Sequence, residues 1–144
     1  MRKQILVFAA LLGVCMLAAG PVQAQSSFKV NIPFAFVAGE AALPAGEYIV
    51  TPPQIGGAKA LTLRRIDGDG AGMVLGMTVQ ATADQSTPRL VFHRYDGGYF
   101  LSTMWTAGSS YGLQLRESRR EVELAKNEAP KDVILLATIS TPRR

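Results

Sequence analysis

Apolar and polar residues alternate at period two through most of this chain, and Gly, Pro or Asp punctuates the pattern roughly every ten residues. A strand turns successive side chains to opposite faces, so this pattern specifies short, half-buried strands joined by turns. Phe28-Lys29-Val30-Asn31-Ile32 alternates cleanly, and Pro33 at its end marks an edge or a bend. In Leu43-Pro44-Ala45-Gly46, Pro44 presets φ for a turn, and the following strand carries Tyr48 and Val50 on one face until Pro52-Pro53 stops it. Ala60 to Ile66 is a third strand with Leu61 and Leu63 inward, closed by Asp67-Gly68-Asp69-Gly70. Met73 to Ala81 is a fourth, whose large side chains Met73, Leu75, Met77 and Val79 share a face and read as interior packing. Ala83 to Thr87 is polar and loop-like.

Arg89 to Trp105 is the strongest hairpin in the chain, with Asp96-Gly97-Gly98 as its tight turn. Gly108 to Gly112 reads as a loop. Ser118 to Asn127 holds no Gly or Pro, and Ser118 with Glu121 three residues on starts a capping box. A short helix is expected there, with Val122 and Ala125 on its apolar stripe, Leu124 nearby, and an Arg119–Glu123 pair. Pro130 ends it. Val133 to Ile139 is a last strand, expected to be central because Val133-Ile134-Leu135-Leu136 does not alternate. Together these elements predict an all-β domain of about six to eight mostly antiparallel strands, a small barrel or sandwich, with one short helix before the last strand.

The N-terminus reads differently. Arg2 and Lys3 precede an uncharged run from Ile5 to Ala19, and Val22-Gln23-Ala24 matches an A-x-A-like cleavage site. These are the three parts of a secretory signal peptide. The run of 15 residues is shorter than the roughly 20 that span a bilayer. Cys15 raises the alternative of a lipoprotein signal, but Val14 stands where a small residue is wanted. The expected organisation is a signal peptide at 1–24 and a single β-rich domain at 25–144, exported to the periplasm or secreted to the extracellular space, with no transmembrane segment after cleavage.

Cys15 is the only cysteine, so the exported domain has no disulfide, thiol nucleophile or thiolate metal site. The formal charge of +4 falls to +2 once Arg2 and Lys3 leave, too little to predict nucleic-acid binding.

Candidate chemistry is sparse. Gly108-Ser109-Ser110-Tyr111-Gly112 matches G-x-S-x-G, which in α/β-hydrolases lifts a serine onto a strand-to-helix turn. This chain is too short and not α/β, and its only histidine, His93, precedes the serine. A hydrolase built on Ser110, or on a carboxylate such as Glu47 or Asp96, is the least supported reading. His93 alone cannot build a histidine-based zinc site and reads as a strand histidine rather than a base or pH switch. Asp67 to Gly72 opens like a calcium loop, but Ala71 and Thr78 occupy later ligand positions. Arg116, Arg119 and Arg120 interleave with Glu117, Glu121 and Glu123, as on a self-paired, solvated helix. No catalytic residue, metal or cofactor is assigned. Tyr95, Tyr99, Trp105 and Tyr111 concentrate around the hairpin and are the candidate ligand-contacting residues.

Four stretches carry a resemblance: Val30-Asn31-Ile32-Pro33-Phe34-Ala35-Phe36, Leu43 to Tyr48, Leu90 to Tyr95, and Trp105-Thr106-Ala107-Gly108 running to Ser118-Arg119-Arg120-Glu121. Together they resemble a group of small exported bacterial proteins that have a signal peptide, one β-rich domain and no assigned activity. The resemblance implies export and a single domain, and transfers no catalytic residue. A late helix on a small barrel is also similar to the lipocalin arrangement, although the lipocalin G-x-W is missing, since Trp105 is the only tryptophan. The expected function is a non-enzymatic exported binding or structural protein whose partner is a protein, a glycan or an apolar small molecule. The alternative is a small barrel carrying an apolar ligand such as a lipid in its interior.

Overall fold

The structure, a computed structural model, describes residues 27–53 and 57–139. The expected signal peptide, Cys15 and the tail Thr141–Arg144 lie outside the described residues. Among the described residues, the chain forms eleven strands and one helix. In chain order they are β1 (Phe28–Ile32), β2 (Phe36–Ala38), β3 (Ala41–Leu43), β4 (Gly46–Thr51), β5 (Ala60–Arg65), β6 (Ala71–Gln85), β7 (Arg89–Tyr95), β8 (Gly98–Trp105), β9 (Ser109–Leu115), α1 (Arg119–Ala125), β10 (Lys131–Leu136) and β11 (Thr138–Ile139). Every described pairing is antiparallel except the short parallel contact of β2 with β8.

The ladder runs β10-β7-β8-β9-β6-β5-β4-β1-β11 and is not closed. Its two ends are nonetheless neighbours in sequence. β10 pairs with β7, the Ala137 N–H donates to the Pro88 carbonyl at 2.9 Å, and β11 pairs with β1. The long strand β6 makes the corresponding turn on the other side. Its first half pairs with β5 and its second half with β9. The sheet therefore folds over into two layers, with strands that pass from one to the other at the corners.

The inner faces meet in one apolar cluster. Phe28, Val30 and Ile32 of β1, Tyr48 and Val50 of β4, and Leu61 and Leu63 of β5 face Leu90, Phe92, Met104 and Leu113 of the second layer. Phe36 bridges them, edge-on to Tyr48 at 5.5 Å and to Phe92 at 5.4 Å. The Tyr48 hydroxyl donates to the Pro44 carbonyl at 2.6 Å, which fastens the turn that Pro44 begins.

The corner in β6 depends on Gly76. Its N–H donates to the Lys59 carbonyl at 2.9 Å, and a Cβ at this position would collide with the Gln114 carbonyl oxygen and approach Leu113 Cγ to 2.9 Å. The clash is with backbone, which cannot rotate away. Gly76→Ala is expected to lower folding stability by about 1–3 kcal/mol, read by urea denaturation. A loss below a few tenths would mean that the corner yields.

Four expectations are corrected. Met73, Leu75 and Met77 do not face the interior; they are 74%, 63% and 67% exposed. β6 has small or apolar residues at both parities, and its neighbours decide which set goes in. Gly72 opposes buried Leu63, Val74 opposes buried Leu61, and Leu43 lies 3.3 Å from where a Cβ on Gly72 would sit. The inner space there takes a glycine and a valine, and a one-residue offset sends the larger set outward. β6 also continues to Gln85, through the segment expected as a loop, because Gln85 pairs with Ser109. The last strand is not central. β10 ends the ladder, with Val133 and Leu135 against the core and Ile134 and Leu136 53% and 70% exposed. Finally, α1 does not bury Val122 or Ala125; its buried residue is Glu121.

Candidate functional site

α1 lies over the outer side of the hairpin tip, where Glu121, Tyr95 and Phe100 are buried together. Ser118, extended at φ −71° and ψ 159°, caps the helix, and its Oγ accepts from the Glu121 N–H at 3.1 Å. The Glu121 side chain turns inward onto β7 and is only 3% exposed. One of its oxygens lies 2.8 Å from Nδ1 of His93 and accepts from the Tyr95 hydroxyl at 3.5 Å. Asp132 of β10 stands 3.8 Å from Nε2 of His93. The Tyr95 ring packs edge-on to Phe100 at 5.6 Å and to His93 at 6.4 Å.

Burial pushes the Glu121 carboxyl above its ordinary range, because the charged form is costly away from water. The hydrogen bond and charge of His93 pull the other way, and the charge of Glu117 adds to the rise. Burial and then the Glu121 charge push the Tyr95 phenol up. Among the described residues, the hydrogen-bonding and ionic partners of His93 are carboxylates alone. This arrangement can orient and retain a proton between His93 and Glu121. Backbone contacts complete the attachment: Arg120 Nη2 donates to the Gly97 carbonyl at 2.8 Å, and the Asp96 N–H donates to the Glu128 carboxylate at 3.0 Å. Arg116, Arg119 and Arg120 form no described ion pair, and the described pair on the helix surface is Glu123 with Lys126 at 2.7 Å. The cluster is a latch for α1.

A different region offers space for a ligand. Pro52 and Pro53 after β4, Lys59 before β5, and residues of β6, β8 and β9 surround a mouth there. The cavity is about 710 Å³. Met104 and Leu113, both buried, form its floor; Tyr111 and Thr78 stand on its walls, and Pro53 and Lys59 on its rim. Tyr111 is 55% exposed, with its N–H held by Ser109 Oγ at 3.0 Å. The volume is that of a small-molecule site, and its surroundings are mainly apolar with a few polar groups.

No family model matches this chain, and no curated protein or solved structure is similar to it.

The four aromatic residues expected to contact a ligand therefore stand on their own geometry, and they do not form one platform. Tyr95 is buried beneath α1. Tyr99 stacks on Phe34 at 3.8 Å and 12°, with Arg94 5.9 Å from its ring. Trp105 lies on the outer face over Gly112, where a Cβ would come within 2.6 Å of the indole, and Arg89 sits 5.9 Å away. Tyr111 alone lines the mouth. Ser110 of the G-x-S-x-G match lies on β9, not on a strand-to-helix turn. Sequence reasoning found Glu121 as a capping residue but not as the partner of His93, 28 positions away in the chain. Met104, Leu113 and Lys59 carried no signal, because an end of a folded sheet has no local sequence pattern.

Proposed function

We propose that this chain is a non-enzymatic binding protein that takes a small, mainly apolar molecule into the mouth between its two layers. The observation that carries this reading is the cavity of about 710 Å³ floored by Met104 and Leu113 and walled by Tyr111. The rest of the interior is filled by Phe28, Phe36, Tyr48 and Phe92, so bound ligand occupies one end and not the middle. The lysine and hydroxyls around the opening suit a molecule with one polar end. The leader read in residues 1–24 supports action outside the cytoplasm.

The test is native mass spectrometry of the protein purified from its natural export, followed by titration with the apolar fluorophore anilinonaphthalene sulfonate. A co-purifying small molecule and saturable dye binding are expected. Tyr111→Ala removes an exposed wall and is expected to raise the dye Kd about five- to tenfold, roughly 1–1.4 kcal/mol, with an unchanged melting temperature. Dye binding that is absent, or indifferent to Tyr111, would count against the mouth as the site.

A further inference from the structure

β6 turns an apolar stripe to solvent. Met73, Leu75 and Met77 occupy alternate positions and are each more than three-fifths exposed. Alternate residues of a strand are spaced by roughly 6.8 Å, so the stripe is about 14 Å long. Thr62 opposes Met73, Ala60 opposes Leu75 and Gln114 opposes Met77, so the neighbouring strands hold no large side chain over it. A shallow groove lined by Leu75, Met77 and Arg116 continues it toward the end of β9.

Three cations border this stripe. Arg64 is on the outer face of β5, Lys59 directly precedes β5, and Arg116 directly follows β9, where its N–H donates to the Leu75 carbonyl at 3.3 Å. All three are exposed, and none has an ion-pair partner among the described residues. The nearest acids stand at the margins. Asp67 and Asp69 are in the turn between β5 and β6, Glu117 follows Arg116, and Glu47 on β4 pairs with Lys29 at 3.9 Å.

We propose that this face docks on an anionic phospholipid surface, with Met73, Leu75 and Met77 entering the interfacial layer and Arg64, Lys59 and Arg116 meeting lipid phosphates. Apolar side chains and adjacent basic groups act together in such binding, each too weak alone. Unbranched methionine adapts to an irregular, fluid surface better than a β-branched residue does. A second copy of the chain fits this face less well. A two-fold contact sets the same patch against itself, so the unpaired cations of both copies would share one interface.

The experiment is co-sedimentation of the full chain with sucrose-loaded vesicles, either phosphatidylcholine alone or an equal mixture with phosphatidylglycerol. Binding to the mixed vesicles is expected, about tenfold or more weaker on phosphatidylcholine and released by high salt. Two variants keep their strand formers and their fold: the triple Met73→Thr, Leu75→Thr, Met77→Thr, and the double Arg64→Gln, Arg116→Gln. Each is expected to weaken binding by about tenfold without moving the melting temperature. Three results would overturn the proposal. One is no association with either vesicle. Another is binding that the triple variant retains in full, which would assign it to a segment such as residues 5–19. The third is a concentration-dependent dimer that the triple variant abolishes, which would make the occupant a second copy.

Discussion

His93→Ala is expected to cost about 3 kcal/mol of folding stability at neutral pH, the low end of the range for stranding one member of a buried pair. The variant leaves Glu121, 3% exposed, with only the long 3.5 Å contact from Tyr95. The low end applies because the His93 side chain is itself 22% exposed, so water reaches the vacated space. The dependence on pH has a definite sign. Burial already raises the Glu121 carboxyl above 4.5; His93 supplies the two larger effects that restrain the rise, and the Tyr95 hydrogen bond a smaller third. In the variant only the Tyr95 contribution remains. A carboxyl whose folded-state value is raised contributes stability in full below its unfolded value, and the contribution is lost as pH rises through the folded value. His93→Ala should therefore unfold more easily as pH climbs from about 4.5 toward neutrality. In the double variant His93→Ala, Glu121→Gln, the buried group no longer titrates, and this slope should vanish. Urea titrations of the two variants at several pH values isolate Glu121, because neither contains the histidine. Parallel curves would show that Glu121 stays solvated and that the latch does not hold α1 through this pair.

Phe92→Ala is expected to cost about 3–5 kcal/mol, the range for emptying a buried aromatic site. Phe92 has no exposed surface and receives Phe34 edge-on at 5.2 Å and Phe36 at 5.4 Å. Phe36 in turn meets Tyr48, so the ring at 92 is the point through which the second layer grips the first. Phe36 reaches this position from β2, a three-residue strand paired with β8 at only two positions, and it cannot move inward without losing those pairings. The cavity therefore stays open, and the loss should fall toward the upper part of the range. Tyr48→Phe is the comparison, since it removes only the bond to Pro44 and should cost about 1 kcal/mol. Equilibrium unfolding, with near-ultraviolet circular dichroism as a check on aromatic packing, measures both. Similar losses for the two would place the joint between the layers elsewhere.

The elements whose apolar residues fall on one parity alone were legible in the chain. β1, β4 and β5 bury the residues that alternation selects, and the hairpin of β7 and β8 turns where Asp96 and Gly97 allow it. Where both parities offer apolar or small residues, local pattern has no preference, and the neighbours choose. That is why β6 and β10 reversed expectation: Gly72 and Val74 go in because Leu63, Leu61 and Leu43 leave no more room, and Val133 and Leu135 take the core side of β10, leaving Ile134 and Leu136 exposed on the other. The candidate sites were less legible still. Ser118 and Glu121 are three apart and announced a cap, whereas His93 and Glu121 are joined only by folding.

By itself the sequence determined β1, β4, β5 and the hairpin of β7 and β8, the short capped helix and an all-β class, because period, proline, glycine and capping chemistry act over a few residues. The tertiary structure alone decided the direction in which β6 faces, the burial of a carboxylate under α1, and the mouth at one end of the sandwich. Each of these depends on which distant strands become neighbours, and the free energy of burial is assigned only when they meet.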